Sequence, residues 1–300
     1  MDWSADEIRA LTRCAHITRH RARNFYYGLR LSPRPKRDGL YAVYAWMRLA
    51  DDLCDDAPRD VADARDRIRQ FAAATSQVLS GGEVPGELDP DSEEAAALMA
   101  LRATNRRWPL PAAEFAAMLQ AQADDLLPRR LKSWEEASRF CAGMASTVGK
   151  ICLAVWGADG ATAPALAGQR GLAFQLTNVL RDFAEDFDRG RVYLPLDEFE
   201  SAALRPEELR HWARPAECAR FVGSQVARAR GFYAASAPLD ALVHAECRST
   251  LWAMTEIYRG VLERIAREPR CVASGTARLG LLRKLRIGLA ARAHAAKAGA

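Results

Sequence analysis

The stretch Gly171-Leu-Ala-Phe-Gln-Leu-Thr-Asn-Val-Leu-Arg-Asp-Phe-Ala-Glu-Asp186 decides the fold class. Leu172, Phe174, Leu176, Val179, Leu180 and Phe183 recur at helical spacing, while Gln175, Asn178, Asp182 and Asp186 fall on one face at steps of three, four and four. Amides and carboxylates flanked this closely by apolar side chains do not face bulk water. They face a cavity or a buried polar layer, where each needs a partner. The same three- and four-residue period continues in both directions, and strict alternation bounded by hairpin turns is almost absent, so the chain is predicted to be all-α. Helices are expected at 5–22, 36–56, 58–79, 92–106, 111–127, 133–156, 163–187, 215–235, 240–267 and 277–296. The Gly-, Pro- and Asp-rich breaks at 81–91, 157–164 and 189–195 are too short for linkers, so residues 1–300 are expected to form one domain.

Composition narrows the function. Of the 300 residues, 49% are apolar and 27% charged, which suits a large packed core. A net charge of +5, from 43 basic and 38 acidic residues spread along the chain, is no footprint for nucleic acid. The seven cysteines include no C-x-x-C pair and are expected to be reduced. An acidic start, MDWSADEIRA, predicts no secretory signal, and no stretch is apolar enough to span a membrane. The expected compartment is the cytoplasm.

A second helix carries a matching pattern. In Tyr41-Ala-Val-Tyr44-Ala-Trp-Met-Arg48-Leu-Ala-Asp51-Asp52-Leu-Cys-Asp55-Asp56, residues Tyr41, Tyr44, Arg48, Asp51, Asp52 and Asp55 share one face, aromatic at one end and acidic at the other. Asp51 and Asp55 lie one turn apart, as do Asp182 and Asp186; such pairs repel unless a cation lies between them, and hard ions such as Mg²⁺ favour oxygen ligands. Two acidic pairs facing each other across a cavity would hold a Mg²⁺-bridged diphosphate, with Arg189, Arg191 and Tyr193 as donors. That chemistry suits ionisation of an allylic diphosphate. The resulting carbocation calls for a dry pocket with aromatic faces, for which Phe25, Tyr26, Tyr27, Tyr41, Tyr44, Phe140, Phe174, Trp252 and Tyr258 are candidates beside their ordinary role as core. The small residues Ala142, Ala145, Ser146 and Gly149 form a stripe that either lets another helix approach closely or leaves room for a long chain.

These residues resemble the squalene/phytoene synthases, the head-to-head trans-prenyltransferases. The resemblance covers about residues 12–290, with Asp51-x-x-x-Asp55 and Asp182-x-x-x-Asp186 as the two aspartate-rich motifs and QLTNVLRDFAEDFDRGRVYLP (175–195) as the most specific string. It implies a single-domain, all-α isoprenoid-synthase helical bundle with a central cavity and two or three Mg²⁺ ions. It implies 1-1′ joining of two farnesyl or geranylgeranyl diphosphates through a cyclopropylcarbinyl diphosphate. By the same resemblance, Asp51, Asp55, Asn178, Asp182 and Asp186 hold the Mg²⁺–diphosphate, and Arg48, Arg181, Arg191 and Tyr193 contact its oxygens. Tyr44 and Gln175 line the reacting centre, Phe25, Tyr41 and Phe140 line the substrate site, and Tyr258 lies near the second substrate.

Two departures stand out: Ala22-Arg23-Asn24-Phe25 replaces a Ser-x-Ser-Phe element, and Phe140 replaces a tyrosine in FCAGMASTVG. The sequence leans to farnesyl diphosphate and a C30 product, with a C40 phytoene-type product next. A class I terpene cyclase and a non-catalytic scaffold are the rival readings. No Gly-rich dinucleotide fingerprint is present, so a requirement for NADPH is left open, as is the oligomeric state. The segment Gly280–Leu289 is basic and amphipathic through Leu281, Leu282, Leu285 and Leu289; it reads as a helix capping the bundle or resting peripherally on a membrane surface.

Overall fold

The computed structural model describes residues 3–21, 26, 28–55, 61–280, 283 and 286–291, with the side chain of Asp55 outside that description. Among them there is no strand, only isolated bridges of Arg130 with Val192 and of Ala158 with Val243. In chain order the helices are α1 (Ala5–Arg21), α2 (Lys36–Asp55), α3 (Val61–Leu79), α4 (Glu93–Arg107), α5 (Ala112–Asp124) and α6 (Trp134–Cys141). A π-helical turn (Ala142–Ser146) joins α6 to α7 (Thr147–Trp156), followed by α8 (Ala163–Asp188), α9 (Leu196–Ser201) and α10 (Pro206–His211). The remainder is α11 (Pro215–Ala235), α12 (Leu239–Leu242), α13 (Ala245–Arg267) and α14 (Cys271–Ser274).

Local chemistry sets several ends. Ser92 Oγ accepts from the amide of Ala95 at 3.0 Å, and Glu93 and Glu94 then meet the N-terminal dipole of α4 while Arg106 and Arg107 meet its C-terminus. Pro164 pre-sets the first turn of α8, which runs 26 residues, about 39 Å.

The helices enclose two apolar cores. In the first, buried Trp46 of α2 packs on Phe71 and edge-on to Phe115, centroids 5.6 and 4.7 Å away, and its Nε1–H donates to Thr75 Oγ1 at 2.8 Å. The second gathers Phe183, Phe199, Phe221, Val222 and Ile265. Helix α8 belongs to both, through Ala163 and Ala167 in the first and Leu176, Leu180 and Phe183 in the second. Arg170, only 3% exposed, pins that crossing: its guanidinium donates to Ser236 Oγ (2.8 Å), the Ser236 carbonyl (3.0 Å), Asp240 (3.0 Å) and Thr255 (2.5 Å).

The expected helices are present with four corrections. The run 133–156 is broken by the π turn, a feature often found at functional sites. The run 240–267 is interrupted where the His244 amide donates to the Gly157 carbonyl at 3.0 Å. The short helices α9, α10 and α14 were not expected. The tail helix does not begin at 277, because the non-helical segment around Ala277 and Leu279 is buried, with Leu279 against Gly260 of α13; helix is seen at 283 and 286–291. Leu281, Leu282 and Leu285 lie outside the described residues, and Leu289 is 65% exposed.

Candidate active site

The small-residue stripe is a contact surface. A Cβ on Gly149 would sit 2.6 Å from the Ala167 carbonyl oxygen, and one on Gly171 would sit 2.3 Å from that of Ala145. The π turn and α7 together therefore run antiparallel to α8, backbone to backbone. Ala145 and Gly149 also line a cavity beside α8, so both readings of the stripe hold.

That cavity, about 210 Å³, is apolar: Met47, Met118, Phe174, Leu251, Met254 and Tyr258 contribute to its wall, together with Trp156. The Phe174 and Tyr258 rings stack at 4.4 Å and 15°. A second cavity, about 290 Å³, is polar and includes Asp51, Asp125, Asp182, Asp186, Arg191 and Tyr193. The two share Asp51, Met144, Gln175 and Asn178 as walls, so a polar mouth opens into an apolar tunnel. Trp156 lies seven residues beyond Gly149 on α7, about 10 Å farther from the acids.

Asp51 of the first acidic motif and both aspartates of the second line the same mouth. Asp51 comes from α2, and Asp182 and Asp186 from α8. Burial, reinforced by the Asp182 charge one turn away, pushes the Asp186 carboxyl up to about 7. Asn178 Oδ1 is buried with no hydrogen-bond partner among the described residues. Asp51, Asp182, Asp186 and Asn178 offer only oxygen ligands, and a hard divalent cation would relieve both the repulsion and the stranded carbonyl. The donor set fits Mg²⁺. Among the described residues no group of three or more His, Cys, Asp or Glu side chains forms a ready-made ion cage.

The loop after α8 closes over this mouth. The Arg191 amide donates to the Asp186 carbonyl at 2.8 Å, and Val192 pairs with the 129–131 segment at 2.9 Å. Arg191 Nη2 then reaches the Asp125 carbonyl at 3.3 Å, and the Tyr193 hydroxyl donates to Asp125 Oδ2 at 2.5 Å. Burial and the Asp125 charge drive the Tyr193 phenol strongly upward, so it remains a neutral donor. Phe140 stacks on Tyr193 at 4.3 Å.

Not every expected residue reaches a cavity. Tyr41 stacks on Tyr26 at 5.9 Å in the first core, only 5% exposed, and lines neither space. Arg48 is turned to Asp52, which also takes Arg21. Arg181 is held bidentate by Asp182, at 2.7 and 2.5 Å; burial would lower its pKa, but that pairing raises it. Tyr44, raised to about 12 chiefly by burial, feels the charges of Arg48 and Asp51 without lining either space. Phe25, Tyr27, Ala22-Arg23-Asn24 and the side chain of Asp55 lie outside the described residues. The sequence reading missed Gln122, Asp125 and Met144 at the mouth, and Trp156 and Arg170 in the tunnel wall.

The family profile for squalene/phytoene synthase matches residues 18–283, a span that includes both acidic motifs. The chain belongs to the squalene/phytoene synthase family. Members of this family are prenyltransferases that join prenyl units head to head, and this chain is a family prenyltransferase. It is 34% identical over 290 residues to the phytoene synthase of Mycobacterium bovis, covering 94% of this chain and 90% of that one. Its fold matches a ligand-bound dehydrosqualene synthase at a TM-score of 0.82, with 22% identity over 97% of this chain and 98% of the other. It also matches the squalene synthase HpnC of Alicyclobacillus acidocaldarius at 0.78, with 23% identity over 89% of this chain and 96% of the other. As a squalene/phytoene synthase family member it has the all-α architecture expected from the sequence, and no described helix is long and apolar enough to cross a membrane.

Proposed function

We propose that the chain couples two allylic prenyl diphosphates C1 to C1′, releasing diphosphate. The observation that carries this reading is the placement of Asp51 opposite Asp182 and Asp186 at the mouth of an aromatic-lined tunnel. Asp51, Asp182, Asp186 and Asn178, with Asp55, are the proposed holders of Mg²⁺. When bound, Mg²⁺ neutralises the diphosphate and makes it a better leaving group. Arg191 is the proposed donor to phosphate oxygens, joined by Tyr193 when its hydroxyl exchanges Asp125 for phosphate, and Arg48 and Arg181, held by acids, keep positive charge beside the motifs. Gln175 sits where mouth and tunnel meet, at the level of the reacting carbons. The Phe174 and Tyr258 faces stabilise positive charge without trapping it, and the apolar walls exclude water.

The phytoene synthase of Mycobacterium bovis, the relative at 34% identity, supports C20 donors and a phytoene-type product. The sequence lean toward C15 rested on no particular side chain. The C15 reading keeps one observation in its favour, the bulky Trp156 in the tunnel wall on the side away from the acids. No two of the seven cysteines are joined in a disulfide, which supports a reducing compartment.

The test is incubation of purified protein with labelled geranylgeranyl or farnesyl diphosphate, with and without Mg²⁺ and NADPH. Mg²⁺-dependent diphosphate release with a 1-1′ coupled lipid is expected. A cyclised monomer, or no release from either substrate, overturns the reading.

A further inference from the structure

The inward stripe of α5 is Phe115, Met118, Leu119 and Gln122, three apolar residues and one amide. Gln122 is 2% exposed, yet it packs where a leucine would fit the pattern. Its Nε2–H donates to Asp51 Oδ1 at 2.6 Å, across 71 residues of sequence. Its Oε1 is buried with no hydrogen-bond partner among the described residues. A buried amide that leaves its carbonyl stranded is destabilising compared with an apolar side chain of the same shape. The one interaction that accounts for the amide is its grip on Asp51, and the side chain lines the polar mouth with Asp182 and Asp186.

We infer that Gln122 is the positioning residue of the first acidic motif. It holds the Asp51 carboxylate in the orientation that faces α8, so that the cation meets a preset oxygen and Asp51 loses less freedom on binding. An outer partner of a ligating carboxylate acts in this way, and its removal weakens metal affinity by about 10- to 100-fold. This inference rests on the proposed function through the role given to Asp51.

The test compares Gln122→Met, Asp51→Asn and the unaltered full chain by titration with Mn²⁺ plus inorganic diphosphate, by the Mg²⁺ dependence of turnover and by thermal unfolding without metal. For Gln122→Met, the Mn²⁺ dissociation constant and the half-saturating Mg²⁺ concentration are each expected to rise about 10-fold or more, with a larger change in the Mg²⁺ requirement than in kcat. The midpoint of unfolding without metal registers two opposed effects, the donor lost to Asp51 and the stranded carbonyl removed, so the metal readouts decide. Unchanged Mn²⁺ affinity and an unchanged Mg²⁺ requirement in Gln122→Met, at whatever midpoint, would show that the amide is only a packing element and would overturn the inference. Full Mn²⁺ binding and turnover in Asp51→Asn would instead remove the site reading itself, whatever Gln122→Met does.

Discussion

The rings of Phe140 and Tyr193 lie face to face, 4.3 Å between centroids and 5° between planes, while the Tyr193 hydroxyl donates to Asp125 at 2.5 Å. The phenol at this wall of the mouth thus comes from the loop after α8. Tyr193→Phe keeps the stack and removes the donor. It should destabilise the fold by about 1–2 kcal/mol and slow diphosphate release, measured by denaturant unfolding and a release assay. Unchanged release would take Tyr193 out of the diphosphate site.

Asp51→Asn and Asp182→Asn each delete a charge from one side of the mouth while preserving shape. Each is expected to lower turnover by about 100-fold or more at fixed Mg²⁺, with circular dichroism unchanged. Near-full activity in either variant would break the assignment of that motif.

Trp156 offers a handle on chain length. Trp156→Phe shortens the side chain in the tunnel wall and removes an indole N–H that has no hydrogen-bond partner among the described residues. The ratio of kcat/KM for the C20 over the C15 diphosphate should rise. Trp156→Ala would open more space but costs about 3–5 kcal/mol, so the milder variant is the cleaner measurement. A constant ratio would mean that depth is limited elsewhere.

Asp186 gives the metal-free protein a pH signature. Its folded-state pKa is raised from 3.8 to about 7, so the native state holds a proton that the unfolded chain releases. That contribution is fully present below the unfolded value and disappears as pH rises through the folded one. In chelator, the unfolding midpoint should therefore fall from pH 5 to pH 8, and Asp186→Asn should flatten the slope. A midpoint that rises over this range by the same amount in both proteins would contradict the buried, repelled carboxylate.

The bundle was legible because apolar periodicity survives in nearly every helix, and the α8 face was legible because four polar residues at helical steps stood out in an apolar run. Gln122 left a fainter trace. One amide ending the stripe of Phe115, Met118 and Leu119 reads as a helix edge until the cavity behind it is seen. Asp125 follows Asp124 at the C-terminal cap of α5, outside any helical period that would single it out. Spacing put Tyr41 and Arg48 on the face that carries Asp51, and the family resemblance added Arg181, but neither says which neighbour each side chain takes, and Tyr26, Asp52 and Asp182 proved closer than the mouth. The helices of four to six residues are shaped by what they pack on, which local sequence does not encode.

The contacts of Gly149 with the Ala167 carbonyl and of Gly171 with the Ala145 carbonyl leave nothing larger than a methyl to trim between these backbones, where the π turn and α7 meet α8. The bore there is therefore set by main chain, and its calibre is as fixed as the helix pair itself. A lineage adapting this scaffold to a bulkier lipid could dig deeper by shaving residues such as Trp156, but along this seam it could not go wider without prising two helices apart.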